Sequence, residues 1–178
     1  ADVLAAQKGW TFRVDGAAWR RVVPSPEPRS VLEILPITWL LERQVLVICA
    51  GGGGIPITQG ATASGVLSGV EAVIDKDLAG ELVARDVGAS LFVMATDVDG
   101  VYVDWGSPGQ RRIDWTTPEE LSGQEFAAGS MAPKVAAACR FARHTGRRAV
   151  IGSLDDIGAI VRGDAGTSVM AGSAPVPA

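Results

Sequence analysis

Three short runs of uninterrupted apolar residues organise the chain: Val45–Ala50, Ser90–Ala95 and Ala149–Ile151. Runs of that length without polar alternation predict strands covered on both faces. Between and after them the spacing turns helical. Asp75–Val87 has Leu78 and Leu82 one turn apart, an aspartate placed to cap it and Gly88 placed to stop it. Ser130–His144 sets Val135, Cys139 and Ala142 on one face ahead of Gly146, and Asp155–Val161 predicts a further helix. Val31–Gln44 also has helical spacing, with Pro36 either kinking it or marking a start, so that the helix runs Ile37–Arg43. Thr117-Pro118-Glu119-Glu120 combines a capping threonine, proline at the first helical position and glutamate three residues after the cap. Trp19–Val23 and Val101–Val103 predict short strands, residues 58–70 a loop, and the tail from Ala171 a frayed end.

Buried strands alternating with amphipathic helices predict an α/β fold, a three-layer αβα sandwich around a mostly parallel sheet. Ligands of such sheets sit beyond the carboxyl ends of the strands. That rule selects three loops: Gly51–Gly54, Thr96–Gly100 and the turn after Ile151.

Composition narrows the class. In 178 residues, 47% are hydrophobic and 20% charged, which fits a soluble globular chain with a real core. The net charge of −4, with no basic run, argues against nucleic acid as a partner. No stretch is long and apolar enough for a membrane span. Cys49 and Cys139 have no metal-ligand spacing, are expected to be reduced and buried, and fit a cytoplasmic setting. The five tryptophans are expected to pack in or against the core.

The candidate chemistry is anionic-ligand chemistry. Of 16 basic residues only Lys8, Lys76 and Lys134 are lysines. Lys76 and Lys134 both fall at predicted helix starts, where the dipole disfavours a cation unless an anion is close by; a ligand phosphate would reverse that balance, and a solvated surface lysine is the bland alternative. The glycine run offers uncovered backbone N–H groups, but it is neither a Walker A loop nor a dinucleotide fingerprint. Asp97-Val98-Asp99-Gly100 does not fit an EF-hand, because its twelfth position is Pro108. His144, the one histidine, fits a favourable helix-end charge better than a catalytic triad. No cluster of ligands predicts a metal held by the protein itself.

Together the segments Arg20–Pro28, Gly51–Pro56, Gly69–Ala79, Thr96–Val98 and Gly129–Lys134 resemble the carbamate kinases of the amino-acid-kinase superfamily, specifically their carboxy-terminal nucleotide-binding portion. The resemblance implies ATP or ADP with Mg²⁺, and carbamate or carbamoyl phosphate as the other substrate. It implies that Lys76 and Lys134 contact the phosphates while Asp77 holds the lysines. Thr96, Asp97, Val98, Tyr102 and Met131 would then border the nucleoside, and Gly51, Gly52 and Gly53 the meeting point with the second substrate. Residues 1–30 would be the end of a lid subdomain and its connector, 31–170 the nucleotide-binding domain and 171–178 a disordered tail. Ala132 stands where the family pattern has glycine. The resemblance implies that the family's portion ahead of the lid would be missing, and with it part of the sheet and much of the expected homodimer interface. The implied activity is reversible phosphoryl transfer that makes ATP during arginine breakdown, with weak or no nucleotide binding and no turnover by this length of chain alone. The alternatives are a non-catalytic nucleotide-binding remnant or partner-dependent subunit, and another kinase of the superfamily acting on a carboxylate.

Overall fold

The computed structural model describes residues 1–15, 17–59, 66–126 and 131–172. Its core is a four-stranded sheet in the order β5 (Leu91–Thr96), β9 (Arg148–Ser153), β10 (Thr167–Val169) and β8 (Trp115–Thr116). β5 and β9 run parallel, with Leu91 opposite Arg148 through Thr96 opposite Ser153. β9 and β10 are antiparallel, and β10 and β8 parallel, so the sheet is mostly parallel as the alternating pattern predicts.

Helices cover both faces. On one, Phe92, Met94, Ala149, Ile151 and Val169 join a single cluster with Ala84 of α3 (Lys76–Asp86) and the apolar stripe of α5 (Met131–Thr145). The alanines of that stripe, Ala137, Ala138 and Ala142, are fully buried and let the helix approach closely. Phe141 fills the remaining space against Phe92, ring centroids 5.5 Å apart. On the other face, Gly152 and Gly166 close upon Ile160 of α6 (Ile157–Arg162). A fully buried side chain such as Ile151 or Phe141 contributes roughly 1.5–3 kcal/mol from burial.

Local chemistry sets the helix ends. Asp75 caps α3 by accepting from the backbone of Asp77 and Leu78 at 2.8 and 3.0 Å. Thr117 and Glu120 form a reciprocal capping box at α4 (Pro118–Leu121), which lowers the Glu120 carboxyl because the Thr117 backbone N–H donates to it. α5 ends at Gly146, which is left-handed at φ 67°. The expected start of α5 at Ser130 lies outside the described residues, as do Gly129 and residues 173–178 of the expected tail. α2 spans Ile34–Glu42, with Pro36 in its first turn, where no intrahelical N–H is needed.

Ahead of the core, α1 (Asp2–Lys8) buries nothing and leads to a hairpin of β1 (Thr11–Asp15) and β2 (Ala18–Val22), on which the Arg21 guanidinium lies 4.1 Å from the Trp10 ring centroid. The chain from Pro24 to Glu27 then joins the core: Val73 N–H donates to the Pro24 carbonyl at 3.0 Å, and Arg140 of α5 pairs with Glu27.

Four expectations need correction. Residues 45–50 form no strand, and Leu46 and Ile48 are 85% and 92% exposed, because no described segment pairs with them. Cys49 is exposed for the same reason, whereas Cys139 is buried. Residues 58–70 are not simply a loop: β3 (Ile57–Gln59) pairs antiparallel with β4 (Leu67–Gly69), and residues 60–65 lie outside the described residues. Trp19, Trp39 and Trp105 are more than half exposed rather than packed in the core.

Candidate functional site

The first turns of α3 and α5 meet beside the carboxyl end of β5. Around that junction opens a cleft of about 590 Å³. Lys76, Asp77, Thr96, Asp97, Val98, Tyr102, Met131 and Lys134 all line it. Residues far apart along the chain thus border one cleft, whereas the glycines Gly51, Gly52 and Gly53 line neither this cleft nor the smaller crevice beside Ser153.

Charge at the helix junction is arranged around Asp77. Lys134 Nζ donates to both of its carboxylate oxygens, at 3.1 and 3.0 Å, and both residues are buried. A buried ammonium is tolerated only with such a partner, since an uncompensated one costs several kcal/mol. Lys76 Nζ stands 3.7 Å from the same carboxylate, yet its side chain is 61% exposed. One carboxylate therefore serves two ammonium groups at a junction that the Asp75 cap also borders. The starts of two helices add the positive ends of their dipoles to it. Such a helix junction suits an anion such as a phosphate group.

Another part of the lining is aromatic. Tyr102 lies in β6 (Val101–Val103), which pairs with β7 (Arg111–Ile113), and its ring meets Trp105 edge-on with centroids 5.1 Å apart. The Tyr102 hydroxyl donates to Asp99 at 2.8 Å, which pushes its pKa up and holds the Asp99 carboxyl below its usual range. Arg112 pairs with Asp99 at 3.1 Å and also with Asp114. Phe126, Glu125, Met131, Pro133, Asp75 and Gly100 also line the cleft. An anion-holding part and an apolar, aromatic part suit a ligand with a phosphate tail and a flat ring.

Sequence reading missed Trp105, Glu125 and Phe126, which lie in loops whose place on the cleft depends on tertiary folding. It also missed the part played by Gly53 in the fold. That glycine has φ 135°, and a Cβ there would stand 2.1 Å from the Ile74 carbonyl oxygen. The turn is thereby pressed against the residue preceding the Asp75 cap. Among the described residues no three His, Cys, Asp or Glu side chains gather as a metal site.

A second buried charge braces the two helices one turn further along. Glu81 is 1% exposed on α3 and is approached by Arg85, Arg140 and His144 at 3.7, 3.7 and 3.6 Å. His144 thus meets a carboxylate from the last turn of α5. Through Arg140 this cluster also reaches Glu27 and the chain that follows the β1–β2 hairpin.

The chain is similar to known proteins over nearly all of its length. The carbamate kinase of Haemophilus influenzae is 53% identical over 169 residues, covering 95% of this chain and 54% of its relative. The carbamate kinase of Thermococcus kodakarensis is 46% identical over 175 residues, 96% of this chain and 55% of that protein. The structure of Giardia lamblia carbamate kinase bound to AMP-PNP superposes with a TM-score of 0.84 at 39% identity, over 95% of this chain and 54% of the other. The chain spans about half the length of these relatives. The Amino acid kinase family model matches residues 1–153. With a paired-lysine junction at the mouth of a mostly parallel sheet and this match over most of its length, the chain belongs to the amino acid kinase family.

Proposed function

We propose that this chain is the nucleotide-holding portion of a carbamate kinase, moving a phosphoryl group reversibly between ATP and carbamate. The observation that carries the reading is Asp77 shared between the buried Lys134 and the exposed Lys76 at the junction of two helix starts. Lys134, held in place by Asp77, lies along the phosphates; Lys76 is free to swing onto the migrating phosphoryl group. Phosphoryl transfer asks for position and positive charge on the equatorial oxygens, which two ammoniums supply.

Thr96, Asp97, Val98, Tyr102 and Met131 border the nucleoside in this reading, with the aromatic wall against the base. Mg²⁺, bound with the nucleotide, would neutralise phosphate charge beside Lys76 and Lys134. Gly51, Gly52 and Gly53 lie toward the second substrate, carbamate or carbamoyl phosphate, and residues 9–28 serve as part of a lid. The direction that makes ATP takes the phosphoryl group from carbamoyl phosphate to ADP and leaves carbamate. The open, uncovered run at residues 45–50 supports a second reading, in which this length of chain holds nucleotide but does not turn over by itself.

Calorimetric titration with Mg-ADP tests the proposal beside a Lys134→Ala variant. Weak binding by the parent chain, lost in the variant, is the expected result. Equal binding by both, or no binding by a well-folded parent chain, overturns the assignment of the nucleotide to this cleft.

A further inference from the structure

The aromatic wall of the cleft stands on a β6–β7 hairpin that is not part of the main sheet. Beside the backbone bond from the Ser168 N–H of β10 to the Asp114 carbonyl at 2.9 Å, one side chain ties the two together. Thr167, the first residue of β10, is fully buried, and its hydroxyl accepts from the Val101 N–H at 2.7 Å. The same hydroxyl donates to the Ile113 carbonyl. Val101 and Ile113 face each other across the hairpin. A single Oγ therefore engages both hairpin strands at one register position, spending its donor and an acceptor on partners 66 and 54 residues away.

The approach depends on Gly100. A Cβ at that position would stand 2.8 Å from Thr167 Oγ and 3.3 Å from the Arg112 side chain. Burial of Val101 adds apolar attachment, but the ties of Arg112 to Asp99 and Asp114 are exposed and screened. One buried and one part-buried hydrogen bond outweigh them, since an unmet partner in the interior carries a desolvation penalty.

We propose that Thr167 is a positioning residue for the nucleoside end of the cleft. It touches no ligand. It fixes the height of the hairpin over the sheet, and so where Tyr102 and Trp105 present their rings. The phosphate end rests on α3 and α5 and is independent of the Thr167 hydroxyl. The inference rests on the reading of the cleft as a nucleotide site.

The test compares Mg-ADP with Mg-tripolyphosphate, which offers the phosphates without the ring, on the parent chain and on Thr167→Val, Thr167→Ser and Gly100→Ala. Valine keeps the shape and removes the hydroxyl; serine keeps the hydroxyl; alanine at 100 drives the hairpin away while leaving Thr167 intact. Thr167→Val and Gly100→Ala are expected to weaken ADP roughly tenfold, the scale of one or two lost buried hydrogen bonds, with tripolyphosphate unchanged. Thr167→Ser returns ADP affinity to within about threefold of the parent. Amide exchange over 101–103 and 111–113 should quicken in the two weakened variants, while 91–96 stays protected. ADP affinity unchanged despite faster hairpin exchange overturns the inference, as does equal loss of both ligands. Gly100 itself lines the cleft, so a loss of ADP in Gly100→Ala supports the inference only when hairpin exchange quickens with it, and slow exchange with lost ADP overturns it. A parent chain that binds neither ligand instead overturns the reading of the cleft on which the inference stands, a result separable from either of those.

Discussion

Residues 91–96 and 45–50 carry nearly the same apolar pattern, yet the first is the sheet strand beside β9 and the second lies bare. Both runs end in a polar or glycine turn, and neither contains proline. The difference is the neighbours. β5 has β9 at its side and α3 and α5 across its face, so Phe92 and Met94 are buried. The run at 45–50 has no paired strand among the described residues, and Ile48, Ile55 and Trp39 around it are exposed. An apolar run states a need for cover. It does not supply the cover, because strand pairing is a long-range contact.

The sharpest way to break this comparison is to truncate one residue on each side of it. Ile151→Ala, in the centre of the covered sheet, is expected to lose about 2–5 kcal/mol of unfolding free energy in urea. Ile48→Ala should change it by no more than about 0.5 kcal/mol. A loss at Ile48 as large as that at Ile151 would mean that a second molecule covers the run in solution. Thiol labelling sharpens the same contrast: Cys49 should react in the folded chain, while Cys139, whose pKa is raised by burial, should react only on unfolding.

The junction between the two regions comes next in size. Gly53→Ala puts a Cβ against the Ile74 carbonyl and is expected to cost about 1–3 kcal/mol, whereas Gly52→Ala, with open space around it, should be near neutral. Thermal unfolding of the two variants measures the difference. Equal behaviour would show that the glycine turn is not pressed against the start of α3.

The smallest expected effect lies on the cleft hairpin. Asp99 is held below its ordinary value of 3.8, first by the Tyr102 hydroxyl and then by Arg112. A depressed carboxyl contributes stability that is fully present above the ordinary value and fades as pH falls through the lower, folded one. The side chain is about half exposed, so Asp99→Asn should cost no more than about 0.5 kcal/mol at neutral pH. That gap should close in acid below about pH 3.8, measured by denaturant titrations at several pH values. A gap that widens in acid would contradict the Asp99 pairing.

Much of the site was legible because its signals are local. The Asp75 cap, the lysines at helix starts and the turn after β5 are statements about a few adjacent residues, and hydrogen bonding and helix dipoles act on that scale. Segments of sequence resembling a known family brought Lys76, Asp77, Thr96, Asp97, Val98, Tyr102, Met131 and Lys134 together, and one cleft gathers them. Trp105, Glu125 and Phe126 gave no such signal, since nothing in a loop's composition says which cavity it will border.

By itself the sequence determined the alternation of strands and helices, the caps, the capping box at Thr117 and the placement of the two lysines, all effects that decay within a turn or two of chain. Only the tertiary structure decided which apolar run is buried, that Lys134 is buried against Asp77 while Lys76 stays exposed, and that Thr167 ties a hairpin 54 and 66 residues distant to the sheet. Those features are contacts between remote segments. Their energy exists only once the segments meet, so a pattern read along the chain has no period or spacing in which to record them.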